Sequence, residues 1–109
     1  MTNHARNGAA RERRIRDRMT DRGWQLVARS AGSKGAADLV MVHPDHGLAL
    51  VQVGTAASKA LGPDDRRRFL DLADLCSALP LVALCTPRLP VRFHVVNEGP
   101  ASTWEAYQP

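Results

Sequence analysis

Two apolar runs constrain this chain more than anything else in it: Ala37 to Val42 and Leu48 to Val53, separated by Pro44-Asp45-His46-Gly47. Near-continuous stretches of Val, Leu and Ala are what strands buried on both faces look like. A Pro- and Gly-bearing link of that length predicts a hairpin between them. Two residues break the apolar pattern, Asp38 at the mouth of the first run and Gln52 deep inside the second. With the turn centred near Asp45, each lies seven residues from it, so the two face one another across the ladder and point to the same face of the sheet. A polar group in such a place costs stability unless it is hydrogen-bonded, which makes both residues candidates for a site.

The elements around this hairpin follow from periodicity and punctuation. Residues 1–8 are polar and aperiodic and are expected to be a disordered N-terminal segment, leaving 9–109 as one domain. A helix is expected from about Ala9 to Arg22, closed by Gly23, with Ile15 and Met19 on its inward face and Glu12 sharing that face. The arginines at 11, 14, 18 and 22 then occupy other faces. A core-facing Glu12 is either a site residue or the partner of a neighbouring arginine at the rim of the domain. Trp24 to Arg29 alternates like a half-buried strand, and Gly32-Ser33-Lys34-Gly35 reads as a flexible loop. Pro63, followed by Asp64 and Asp65, opens a second helix whose buried stripe is Phe69, Leu72, Ala73 and Cys76. Pro80 ends it, Leu81 to Cys85 is a fully buried strand, and Val91 to Val96 is another near the sheet edge. Trp104 and Tyr107 are expected to cap the core. The order αβββαββ predicts an α/β fold, a mixed sheet with a helix on each side.

Charge separates the first segment from the rest. Residues 1–23 hold seven arginines against Glu12, Asp17 and Asp21, and the remaining basic and acidic residues cancel, so the net charge of +4 lies entirely in that segment. A face of that kind suits a polyanion, although a solvated helix face explains it as well. No apolar stretch approaches the roughly 20 residues that span a bilayer, and the arginine-rich start lacks a signal core. A cytoplasmic location is therefore expected. Cys76 and Cys85 show no metal or redox spacing and are expected to be buried free thiols. His43 and His46 resemble half a metal site without a second half, which favours a role in the hairpin turn. His94, alternating with valines, is expected to be exposed.

Glu12 on the first helix, Asp38 opening the second strand and Gln52 within the third together resemble the PD-(D/E)xK nuclease superfamily, which has a restriction-endonuclease-like core. Within it, Arg29-Ser30-Ala31-Gly32-Ser33-Lys34-Gly35-Ala36-Ala37-Asp38-Leu39-Val40, with Leu50-Val51-Gln52-Val53 and Leu61-Gly62-Pro63, is similar to the archaeal-type Holliday junction resolvases. The likeness covers roughly residues 8–86. It implies that Glu12, Asp38 and Gln52 are the catalytic and metal-binding set. Gln52 takes a position where Glu is usual, and Ala37 stands where Pro is commonest. It also implies a DNA substrate, branched or four-way, and a homodimer. One departure is large: Gly54 occupies the place of the catalytic lysine.

The chemistry is consistent with that set. Phosphodiester hydrolysis needs a positioned water and neutralisation of charge on the phosphate. Oxygen donors from Glu12, Asp38 and the Gln52 amide suit Mg²⁺ or Mn²⁺. Only two lysines exist, and both are candidates to replace the missing cation: Lys59 past Gly54, and Lys34 ahead of Asp38. Arg11, Arg13, Arg14, Arg18, Arg29, Lys34 and Ser33 are the expected contacts to the DNA backbone, which position a duplex without reading its sequence. Arg66, Arg67 and Arg68 either widen the basic face or are neutralised by Asp64 and Asp65. The expected activity is thus a metal-dependent, structure-selective endonuclease, and the alternative is an inactive nuclease fold that only binds DNA.

Overall fold

A computed structural model describes residues 4–30, 37–56 and 61–109. The first helix, α1 (His4–Thr20), begins five residues ahead of the expected Ala9 and reaches back into the segment expected to be disordered. Its end is fixed by a glycine. The Gly23 N–H donates to the Thr20 carbonyl and the Trp24 N–H to the Met19 carbonyl, the paired bonds of a Schellman motif, with Gly23 in the left-handed region at φ 96°. Met19 and Trp24, the residues whose backbones make the longer bond, are both fully buried on the same side of the sheet.

Among the described residues six strands follow in one sheet whose spatial order equals their sequence order. They are β1 (Gln25–Arg29), β2 (Leu39–His43), β3 (Gly47–Gly54), β4 (Leu79–Leu84), β5 (Arg92–Val95) and β6 (Glu105–Tyr107). All neighbours are antiparallel except β3 and β4, which are parallel because the second helix, α2 (Pro63–Leu75), crosses between them. The hairpin has the expected register, Leu39 opposite Val51 through His43 opposite Gly47. Gly47 takes φ 78° just after the three turn residues, the left-handed position such a loop requires. The His43 ring locks the turn. Its Nδ1 accepts the Asp45 N–H at 2.9 Å, so Nε2 carries the proton and donates to the Arg22 carbonyl at 3.0 Å. The His pair therefore serves the turn and the end of α1.

Alternation along the strands splits the core in two. Leu39, Met41, Ala49, Val51, Leu81, Ala83 and Phe93 pack with Ile15 and Met19 of α1 on one face. Leu50, Val82 and Leu84 pack with Phe69 and Ala73 of α2 on the other. The mixed sheet with one helix per face is as expected.

Several local expectations are corrected. β1 is an edge strand exposed at every position, with Val27 57% exposed and a bulge between Leu26 and Ala28. Its alternating letters therefore do not mark a half-buried strand, because an edge strand leaves both of its faces largely open to solvent here. β6 was not anticipated. It adds an edge outside β5, with Trp104 buried just before it and Tyr107 opposite Phe93. α2 stops at Leu75, five residues before Pro80, where Ser77 takes φ 53° and turns the chain. Pro80 instead lies in β4, near its start, where a missing N–H is tolerated. Cys76 caps α2 and is exposed, while Cys85 is buried, and both are free thiols. His94 is half-buried in β5. Among the described residues no helix is long and apolar enough to cross a membrane.

The α1 stop carries a test. A Cβ on Gly23 would meet His43 Nε2 at 3.0 Å on a backbone that disfavours side chains. Gly23→Ala should cost about 1–2 kcal/mol, read as a lowered midpoint in chemical denaturation.

Candidate functional site

The site forms where β2 and β3 part. Beyond the last ladder pair, Leu39 and Val51, the Asp38 N–H donates to the Val51 carbonyl at 3.0 Å and the Asp38 carbonyl accepts the Ser30 N–H at 3.0 Å. The backbone of Asp38 is thus held from β1 and β3 together. Its side chain then turns to β3, where Oδ2 accepts the Val53 N–H at 2.8 Å. Oδ1 has no hydrogen-bond partner among the described residues.

Gln52 is half-buried on β3 opposite Val82 of β4, and its amide makes no hydrogen bond among the described residues. By strand alternation it shares a face with Gly54. Glu12 arrives from α1, one turn ahead of the buried Ile15. Glu12, Asp38 and Gln52 line one open cleft of about 240 Å³, together with Gly8, Arg11, Val53 and Gly54. The three sequence candidates for metal binding therefore meet, although each comes from a different element.

Glu12 sits between opposite charges. Its Oε1 is 3.5 Å from Arg29 Nη2, an ion pair without hydrogen-bond geometry, so Oε1 remains buried with no hydrogen-bond partner. Burial, and then the Asp38 charge, raise the Glu12 pKa above the ordinary carboxylate value, against the lowering influence of Arg29 and Arg16. Burial likewise raises Asp38, and the Val53 N–H opposes it. Two carboxylates that resist ionisation beside each other form a site that gains from a cation. The donors are all hard oxygens, and Glu12 Oε1 lacks a partner, so the residues fit a divalent ion such as Mg²⁺. Among the described residues no cluster of three or more His, Cys, Asp or Glu exists, which leaves Glu12 and Asp38 with the neutral Gln52.

The arginines divide by what they touch. Arg11 lines the cleft itself, not the far side of α1, because positions 11 and 12 both border the inward stripe of the helix. Arg13, Arg16 and Arg29 line an adjoining depression around Glu12. Arg16 was missed by sequence reasoning, and its signal was the four-residue spacing from Glu12. Arg14, expected at DNA, is engaged elsewhere. Its guanidinium donates to Cys85 Sγ and the Thr86 carbonyl, both at 3.1 Å, and to the Leu89 carbonyl, which ties α1 to the β4–β5 loop. Arg18 lies with Arg92 and His94 near β5 and β6, away from the cleft. Arg66 is occupied by the Gly99 carbonyl at 2.5 Å and the Trp104 ring, and Arg68 by Asp65. Ser33, Lys34 and Lys59 lie outside the described residues.

A family model described as archaeal Holliday junction resolvase (Hjc) matches residues 3–100. The chain belongs to that resolvase family. No curated protein sequence matches it. Among solved structures it is similar to Hjc from Archaeoglobus fulgidus, a Holliday junction resolvase. The identity is 21%, covering 86% of this chain and 77% of that one, with a TM-score of 0.67. That likeness shows the nuclease fold, a mixed sheet with two flanking helices. Resolvases of the Hjc family are generally metal-dependent nucleases that act in DNA recombination.

The carboxylate pKa shifts set a sign. A carboxyl whose folded pKa is raised contributes stability that is present at low pH and is lost as pH rises through the raised value. In EDTA at neutral pH, Glu12→Gln and Asp38→Asn should each raise the melting temperature. The gain should vanish below about pH 3, where carboxylates are protonated in both states.

Proposed function

We propose that this resolvase-family chain is a metal-dependent endonuclease that nicks four-way DNA junctions, acting as a homodimer with Mg²⁺ or Mn²⁺. The observation that supports it best is the convergence of Glu12, Asp38 and Gln52 on one cleft with unsatisfied oxygen donors. Glu12 and Asp38 would hold the ion through carboxylate oxygens and Gln52 through its amide carbonyl. A bound ion of this kind supplies Lewis acidity and lowers the pKa of water.

The chain's own residues account for the remaining work. Asp38 is fixed by the Val53 N–H, so one oxygen is committed to the fold and the other is left to the cleft. Glu12 is kept in place by Arg29 on its outer side. Arg13, Arg16 and Arg29 form a basic rim on which a DNA backbone can rest. In the reaction a water oxygen forms a bond to phosphorus, the phosphorus–ester oxygen bond breaks, and the departing oxygen takes a proton. Two copies related by a two-fold axis would match the symmetry of a four-way junction.

Gly54 supports a second reading, a junction-binding protein without catalysis, since it brings no cation to the place where the lysine is expected. Metal dependence separates the two. With Mg²⁺ or Mn²⁺ the protein should nick a synthetic four-way junction, and Asp38→Ala should abolish nicking while junction binding persists. Binding without nicking in either ion would establish the second reading. Either ion should also raise the melting temperature of the wild type, by mass action on the folded state, and leave Asp38→Asn unchanged.

A further inference from the structure

We propose that the Arg11 guanidinium is the catalytic cation of this site, contacting the scissile phosphate in the cleft where Gly54 offers no charge. The inference rests on the hydrolase reading above and adds to it a residue and a role.

Three observations carry it. Arg11 is the only cationic side chain among the described residues that line the cleft of Asp38, Gln52 and Gly54. It is also uncommitted, with no hydrogen bond or ion pair among the described residues. Two of its neighbours are otherwise engaged, Arg29 with Glu12 and Arg14 with the β4–β5 loop, while Arg13 and Arg16 line the adjoining depression and not this cleft. Finally, there is room for a phosphate beside it. Gly8, one helical turn earlier on the same side of α1, bears no side chain, and outside its own helix no atom of the described residues lies within 4 Å of where a Cβ would stand.

The chemistry suits the residue. Charge accumulates on the non-bridging phosphate oxygens as the water attacks, and a planar guanidinium meets two such oxygens with parallel N–H donors. It stays protonated throughout, so it stabilises charge without exchanging a proton. A cation from α1 would approach the phosphate beside Glu12, whereas a side chain at position 54 would approach from β3, beside Gln52. The two positions border the same cleft, so one can serve in place of the other. The backbone dihedrals do not reserve position 54 for glycine. Gly54 lies in β3 opposite Leu84 and is not among the glycines at positive φ.

The experiment is single-turnover cleavage of a synthetic four-way junction at saturating protein with Mg²⁺ or Mn²⁺, alongside junction affinity in EDTA across a salt series. Arg11→Gln should lower the saturated rate by about 10²–10³-fold, the usual cost of one transition-state donor. Its salt slope should fall by about one unit, as for one lost phosphate contact. An unchanged melting temperature shows that the variant is folded, and Arg11→Lys, which keeps the charge, should retain more of the rate. Adding Gly54→Lys to Arg11→Gln should restore at least about tenfold of the lost rate. An Arg11→Gln protein that cuts at the wild-type rate once saturated overturns the inference and leaves the hydrolase reading standing. So does loss of cutting in Lys34→Gln or Lys59→Gln with none in Arg11→Gln. A wild type that binds the junction and never cuts it removes the hydrolase reading, and this inference with it.

Discussion

Past the pair of Leu39 and Val51, the hairpin of β2 and β3 opens, and the N–H of Val53 is taken by the Asp38 carboxylate in place of a backbone carbonyl. That 2.8 Å hydrogen bond closes the end of the ladder and so keeps a half-buried donor satisfied. It also fixes a carboxylate in the cleft at the open end of the hairpin. One carboxylate oxygen is thus used by the fold, and the other has no hydrogen-bond partner among the described residues. The neighbouring pieces depend on this arrangement. β1 reaches the same residue through the Ser30 N–H, and Gln52 and Gly54 flank the Val53 that donates.

Around that anchor the electrostatics are deliberately unfavourable in the absence of a cation. Glu12 is brought close enough to Asp38 for their charges to oppose each other, and burial adds to the cost. Arg29 offsets part of this from the outer side, at ion-pair distance but without a hydrogen bond. Such an arrangement lowers the stability of the fold as it stands, a cost of the kind met where charged groups are gathered in a cleft. The rest of the molecule compensates through the central strands of the sheet, buried on both faces with α1 over one side and α2 over the other.

The arginines show how little composition says about role. Seven of them fall in residues 1–23, and the charge alone suggests a single basic face. In the fold they separate. Arg14 is a tie to the β4–β5 loop, Arg18 lies near β5 and β6, Arg13 and Arg16 surround Glu12, and Arg11 enters the cleft. Adjacent positions on a helix point about 100° apart, so a one-residue step is enough to move a guanidinium from the rim into the site.

The sequence by itself determined the hairpin and its register, and so the placing of Asp38 and Gln52 near one another at its open end. Turn chemistry and a strand period of two are local properties, and Gly47 allowed only one kind of turn. It also determined the two-sided sheet, because continuous apolar runs leave no face for water. It did not determine the exposure of β1 or the existence of β6. An edge strand's burial depends on what packs over it, and β6 is three residues with no pattern of their own. Nor could it settle which arginines are free, since the partners of Arg14 and Arg66 lie more than thirty residues away in the chain. The cleft itself was decided only by the tertiary structure. It requires α1 to lie across the parting strands, and that placement comes from the burial of Ile15, Met19 and Trp24 against residues contributed by five strands.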